Sequence, residues 1–273
     1  MRIDAHHHVW RLARGDYDWL TPDLPIHRDY GLDDLRPLLG DIGGTILVQA
    51  APTEAETRYL LNVARCSDGL VRGVVGWTDF AAPDAADRIG ALARDPLLKG
   101  LRPMLQDMAD TAWILRPAVA PALRALARHD LRLDLLIRPR HLTAITTLAE
   151  AAPDMAVVID HAAKPDIRAG LFQPWAGQMR HIARITNWHC KLSGLVTEAN
   201  PAGWRVEDLH PYVEQLLACF GPERLIWGSD WPVVNLAGGY AGWRAATDTL
   251  LAHLAPAERA MILGGNAARF YAV

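Results

Sequence analysis

Cysteine is scarce in this chain. Cys66, Cys190 and Cys219 are far apart, odd in number and without a Cys-x-x-Cys pair. That pattern excludes a disulfide framework and indicates a reducing compartment. Long apolar runs are missing too. None reaches the roughly 20 residues that a membrane-spanning helix needs, and no basic-then-apolar leader precedes the first strand-like segment. A cytoplasmic enzyme is the expectation. Charge of one sign is also lacking: the formal net charge is −3, with acids and bases interspersed. Such a balance provides neither a nucleic-acid footprint nor a polybasic membrane surface. No glycine-rich phosphate loop follows the first strand-like segment, which counts against an open, doubly wound nucleotide-binding sheet. Linkers, low-complexity tracts and clear internal repeats are absent, so residues 1–273 read as one domain.

What remains is a chain of 273 residues, 51% of them apolar, enough to bury a sizeable core. Short apolar runs suited to strands covered on both faces occur at about 3–9, 44–50, 71–78, 98–103, 131–137, 156–161, 187–194 and 224–229. Amphipathic segments lie between most of them. Thr53 and Glu56 form a capping-box pattern ahead of Tyr59-Leu60-Leu61. Leu115, Val119, Leu123 and Leu126 recur at helical spacing, as do Val206, Leu209, Val213, Leu216, Leu217 and Phe220. A last helical pair is expected at about 240–254 and 256–270, with Pro256 near the start of the second. Strand and helix alternating eight times predict an α/β fold, a closed (β/α)8 barrel. The longest connection, residues 10–43, carries Trp10, Tyr17, Trp19 and Tyr30 and is a candidate lid.

In such a barrel the chemistry sits at the C-terminal strand ends. The first strand offers His6 and His8 on one face, with His7 on the other. Two imidazoles on one face can share a metal ion or make ordinary hydrogen bonds. The eighth strand, Leu225-Ile226-Trp227, delivers Asp230 just before Pro232. This carboxylate is a metal ligand, a base that takes a proton from water, or a turn cap. His6, His8 and Asp230 meet only if strands one and eight close the barrel. His161, after Asp160, reads as a third ligand, an acid/base or a core histidine. Arg102 reads as a grip on a carboxylate or polarised carbonyl, or as half of a structural ion pair. Lys191 and Ser193 carry a similar ambiguity. Gln49, Trp77, Asp79, Asp134, Arg138, Lys164 and Trp231 lie at other strand ends. The ten tryptophans offer stacking surfaces for a ligand.

Six segments, spread in order over nearly the whole chain, resemble the amidohydrolase superfamily in its sugar-lactonase and pyrone-dicarboxylate-lactonase branch. They are Asp4-Ala5-His6-His7-His8-Val9-Trp10, Gly76-Trp77, Lys99-Gly100-Leu101-Arg102, Asp160-His161-Ala162-Ala163-Lys164-Pro165, Lys191-Leu192-Ser193-Gly194-Leu195 and Gly228-Ser229-Asp230-Trp231-Pro232-Val233. Val196-Thr197-Glu198-Ala199 is similar to the L-fuconolactone and L-rhamnonolactone hydrolases. The resemblance implies a distorted TIM barrel whose partner is a small-molecule sugar lactone. It puts His6, His8, His161 and Asp230 at catalytic positions, with His6, His8 and Asp230 as ligands where a metal is bound. Arg102, Lys191, Gln49, Trp77, Trp231 and Glu198 fall to substrate binding. Metal-rich members carry a bridging lysine or glutamate on the fourth strand and a histidine on the fifth. Arg102 and Asp134-Leu135-Leu136 stand there instead. The resemblance therefore implies one divalent, zinc-like metal or a metal-independent reaction. Two other readings stay open: a decarboxylase holding an acid with Arg102, Arg138 and Lys191, and a non-catalytic sugar-acid binder.

Overall fold

Apolar runs too short for helices, each followed by an amphipathic segment, are what a parallel sheet with helices on its outer face requires. The computed structural model, which describes residues 1–273, has that arrangement. Eight parallel strands stand side by side in chain order: β1 (Arg2–His7), β2 (Ile42–Val48), β3 (Val71–Gly76), β4 (Leu98–Leu101), β5 (Arg132–Leu135), β6 (Val157–Ile159), β7 (His189–Leu192) and β8 (Leu225–Trp227). All but β2, which starts two residues before its run, are shorter than their apolar runs, because the last residues of the runs leave the ladder to form the mouth of the barrel.

Two apolar layers result. The larger lies between the strands and the outer helices. The smaller fills the barrel itself with Ile3, Ala5, Ile46, Val48, Val75, Val158 and Ile226, and is plugged from below by Phe270 and Tyr271 of the final helix, Asn266–Tyr271. Filling the lower barrel with β-branched side chains confines polar groups to its upper half.

Closure takes place beyond the end of β8. The Asp230 N–H donates to the His6 carbonyl at 2.7 Å, and the His8 N–H to the Trp231 carbonyl at 2.7 Å. Below them the Ser229 N–H donates to the buried carboxyl of Asp4 at 2.8 Å. A Cβ on Gly228 would stand 2.6 Å from the Cβ of His6, so only glycine lets the two ends of the chain approach this closely.

Four expectations change. Leu115 is not on the helix of Val119, Leu123 and Leu126. That helix runs Ala120–Arg128, and Leu115 ends a separate 3-10 turn, because Pro117 forces Arg116 into an extended conformation (ψ 138°). The second of the last two helices is split into Pro256–Ala260 and Asn266–Tyr271 around Gly264, where a Cβ would lie 2.3 Å from the Met1 carbonyl. Thr53 caps its helix, accepting from the Glu56 N–H at 3.0 Å, but the Glu56 carboxylate reaches past the capping residue to the N–H groups of Ala50 and Ala51. Residues 10–43, the candidate lid, are pinned to the core by their apolar side chains. Trp10, Tyr17 and Tyr30 are buried, Trp10 and Tyr30 exchange backbone hydrogen bonds at 3.0 Å, and only Trp19 reaches the mouth.

Candidate active site

The strand ends open on a cavity of about 270 Å³. Its floor is the place where the two ends of the chain meet. Asp230 Oδ1 lies 3.3 Å from His8 Nε2, 3.7 Å from His6 Nε2 and 3.9 Å from His161 Nε2. Burial pushes the Asp230 carboxyl up, but His161 first, then His8 and His6, outweigh it and hold the group below the usual carboxylate range. Asp230 is thus an ionised acceptor at neutral pH. Burial lowers His161 to about 4, against the pull of Asp230 and Asp160, so its ring is neutral there.

His161 arrives by an unusual backbone route. After β6, His161, Ala162, Ala163 and Lys164 all have φ between +51° and +60°. Four consecutive left-handed residues, none of them glycine, cost about 1–2 kcal/mol each. The turn is held by the Lys164 N–H on the His161 carbonyl (2.7 Å), the Trp175 indole on the Ala162 carbonyl (2.7 Å), and a hydrogen bond between His161 Nδ1 and the Ser193 hydroxyl (2.9 Å). Asp230 itself has φ +59°. Strain of this kind gathers where neighbours over-determine a geometry that function needs.

Beneath the imidazoles lies a buried charge network. Lys191 Nζ is 2.5 Å from Asp134 Oδ2, 3.0 Å from Asp160 Oδ1 and 3.1 Å from His6 Nδ1. Arg102 Nη1 donates to Asp160 Oδ2 at 3.2 Å, and its Nη2 to Gln49 Oε1 at 2.8 Å. The Tyr271 hydroxyl donates to Asp134 at 2.7 Å. Two cations thus face two carboxylates, the condition on which charges stay buried. Asp160 is held well below its ordinary range: burial opposes this, but Lys191, His6 and Arg102 prevail.

Hydrogen-bond partners fix the tautomers. His8 Nδ1 faces the Val48 carbonyl at 2.8 Å and must donate, which leaves a lone pair on Nε2. Both ring nitrogens of His6 face a cation, Lys191 Nζ at 3.1 Å from Nδ1 and Arg102 Nη1 at 3.4 Å from Nε2; the nearer ammonium favours Nδ1 as the acceptor and the hydrogen on Nε2, 3.2 Å from His8 Nε2. The partners also bear on metal binding. One ligand atom from each of His6, His161 and Asp230 lies within 4.8 Å of the others, and imidazoles with a carboxylate suit a divalent cation of zinc type. A ligating histidine normally has an acceptor behind it. His8 has the Val48 carbonyl at 2.8 Å and His161 the Ser193 hydroxyl at 2.9 Å, whereas His6 Nδ1 has the Lys191 ammonium at 3.1 Å and the Asp160 carboxylate only at 3.6 Å. The donor set fits a divalent metal, with His8, His161 and Asp230 better prepared than His6.

The sequence-predicted residues divide accordingly. His6, His8, His161, Asp230 and Arg102 come together. Gln49 does not line the cavity; it clamps Arg102 from the side, its Nε2 donating to the Arg102 carbonyl at 3.3 Å. Lys191 is fully buried in the charge network under His6. Trp77 lies outside the cavity, its backbone N–H and carbonyl both bonded to Thr57 Oγ1. Trp231 is core, packed edge-on against Tyr30. Glu198 stands in an adjoining cleft, 3.7 Å from Lys164. Met104, Gln106, Asp107, Leu136 and Val233 line the cavity without having been anticipated. Their only signal is position, one to six residues beyond a strand end.

The molecule is similar over its whole length to known proteins. It is 47% identical to an L-fucono-1,5-lactonase of Burkholderia ambifaria, with all of this chain and 96% of that protein covered. It is 37% identical to an L-fucono-1,5-lactonase of Burkholderia multivorans over the same shares of each chain. A crystal structure of an amidohydrolase from Burkholderia multivorans with bound zinc superposes with a TM-score of 0.94 at 36% identity, covering 100% of this chain and 99% of that one. The amidohydrolase family model matches residues 3–273. From the imidazoles of its first strand to the carboxylate after its last, the chain belongs to the amidohydrolase family.

Proposed function

We propose that this protein hydrolyses the 1,5-lactone of a deoxy sugar acid, of the L-fucono-1,5-lactone type, to the aldonate. The observation that carries the proposal is an ionised Asp230 facing three imidazoles at the floor of a cavity sized for one small ligand. Relatives at 47% and 37% identity bear that activity in their names.

Asp230 takes a proton from the water that attacks the lactone carbonyl. The tetrahedral oxyanion is stabilised by the Arg102 guanidinium, whose direction is set beforehand by Gln49 and Asp160. On collapse the bond from the carbonyl carbon to the ring oxygen breaks. Asp230 returns its proton to that oxygen, which leaves as the hydroxyl of the open chain. The new carboxylic acid gives its proton to solvent. His8 and His161, neither backed by a cation, hold the water on Asp230. Lys191 sets the His6 ring from beneath. A zinc-type cation on His8, His161 and Asp230 would supply Lewis-acid polarisation of the carbonyl. Met104, Leu136 and Val233 form an apolar wall for the deoxy end of the sugar, and Gln106 and Asp107 offer partners for its hydroxyls. The three cysteines are unpaired, which supports a cytoplasmic setting.

The test is acid release from a panel of neutral 1,4- and 1,5-lactones, followed with a pH indicator, with and without a chelator. The proposal expects fastest turnover on a 6-deoxy 1,5-lactone. Inert lactones across the panel, with zinc supplied, would overturn it.

A further inference from the structure

The catalytic cavity is not the only concave polar site at this end of the barrel. A second cleft of about 490 Å³ adjoins it, and Lys164 lines both. Four cations, Arg138, Arg140, Lys164 and Arg168, surround this cleft, against two carboxylates, Asp166 and Glu198. The carboxylates do not neutralise it. Glu198 is stretched between Lys164 at 3.7 Å and Arg138 at 3.9 Å, both longer than a charge-assisted hydrogen bond. Asp166 accepts from the Ala169 N–H at 3.1 Å within its own turn. Arg140 is committed elsewhere, donating to the carbonyls of Gln106 and Met108. The guanidinium of Arg168 has no carboxylate within ion-pair distance, while its backbone N–H is fixed on the Glu198 carbonyl at 3.0 Å. Arg138 and Arg168 are therefore the cations of this cleft with the least of their charge committed, one in a long ion pair and the other in none.

Lactone hydrolysis turns a neutral ligand into an anion. Cations placed outside the reacting centre do little for the substrate and bind the product. We infer that the outer cleft is a second ligand site, selective for a polyhydroxylated carboxylate, which takes the aldonate as it leaves the catalytic cavity. Lys164, at the shared wall, meets the carboxylate first, and Arg138 and Arg168 receive it. This inference rests on the lactonase reading above.

The experiment uses the whole enzyme and two probes, the neutral 1,5-lactone as substrate and L-fuconate as ligand. The wild type is compared with the Arg138→Ala/Arg168→Ala double variant and with Arg168→Glu, each checked by its melting temperature. For the double variant, kcat/KM on the neutral lactone is expected to stay within about twofold while the Kd and inhibition constant for L-fuconate rise at least about tenfold, the effect of losing at least one charge-assisted contact. Arg168→Glu should weaken L-fuconate further, and added salt should shrink the difference. L-Fuconate binding equal to wild type in folded variants would overturn the inference. So would a parallel fall of kcat/KM, since the cleft would then belong to the substrate site. A wild type inert on every lactone would instead overturn the lactonase reading, and calorimetry with L-fuconate would still report on the cleft.

Discussion

Lys191 shows how much a residue's meaning depends on what surrounds it. In the sequence it is one cation at a strand end, open to a role in gripping substrate. In the fold it is fully buried between Asp134 and Asp160 and donates to His6. Its work is to make two buried carboxylates tolerable and to set a tautomer. Lys191→Met should therefore cost about 3–5 kcal/mol of stability, as expected for a buried pair that loses one partner, measured by urea unfolding. A wild-type midpoint with reduced turnover would place Lys191 at the substrate instead. Gly194 is the opposite case, a residue defined by what it leaves out. Its φ is +62°, and a Cβ there would lie 2.5 Å from His161 Nδ1. Gly194→Ala is expected to displace the imidazole, lowering kcat, and to lose about 1–2 kcal/mol from the left-handed backbone. Unchanged kcat would mean that the His161 ring needs no fixed seat.

Among the elements, the join between β1 and the segment after β8 carries the site, and Asp4 carries the join. Its Oδ1 accepts from the Ser229 N–H at 2.8 Å, while Oδ2 has no hydrogen-bond partner. Burial raises this carboxyl to about 6, despite the Ser229 and His6 hydrogen bonds. The folded protein therefore binds a proton more tightly than the unfolded chain does. The associated stability is complete below about pH 4 and is lost as pH rises through 6. Relative to Asp4→Asn, which has no such proton, the wild type should lose on the order of 3 kcal/mol between pH 4 and pH 7. Thermal melts of the two proteins across that range provide the check. A gap that does not change with pH would mean that Asp4 is already ionised in the fold.

Much of the element order was legible in the sequence, because strands buried on both faces must be apolar throughout, and Val71-Arg72-Gly73-Val74-Val75 or Val157-Val158-Ile159 can hardly be anything else. The left-handed turn at 161–164 was not legible. Ala162 and Ala163 are good helix formers, and only tertiary partners such as the Trp175 indole and Ser193 reverse their preference. The residues of the cavity wall were hidden for a related reason. Met104, Leu136 and Val233 differ from core residues only in where the barrel mouth happens to open. His6, His8, His161 and Asp230 could be read because each stands at the end of an apolar strand run within a segment that resembles the family's motifs.

In the molecule as a whole, the barrel joins residues 222–225 positions apart, so the site exists only when the entire chain has folded. The lower barrel is apolar, the middle is a balanced charge network, and the mouth holds one ionised carboxylate facing imidazoles. Each layer makes the next possible: the dry base gives the network its strength, and the network fixes Arg102 and His6 under the reacting atoms. The central claim is that Asp230 moves the proton. The most direct measurement is kcat on a neutral 6-deoxy 1,5-lactone for the wild type and for Asp230→Asn, an isosteric change that keeps the shape of the site and removes the base. The account predicts a fall of about 10²–10⁴-fold, the usual share of general acid–base catalysis. Turnover equal to wild type in the folded Asp230→Asn protein would contradict it.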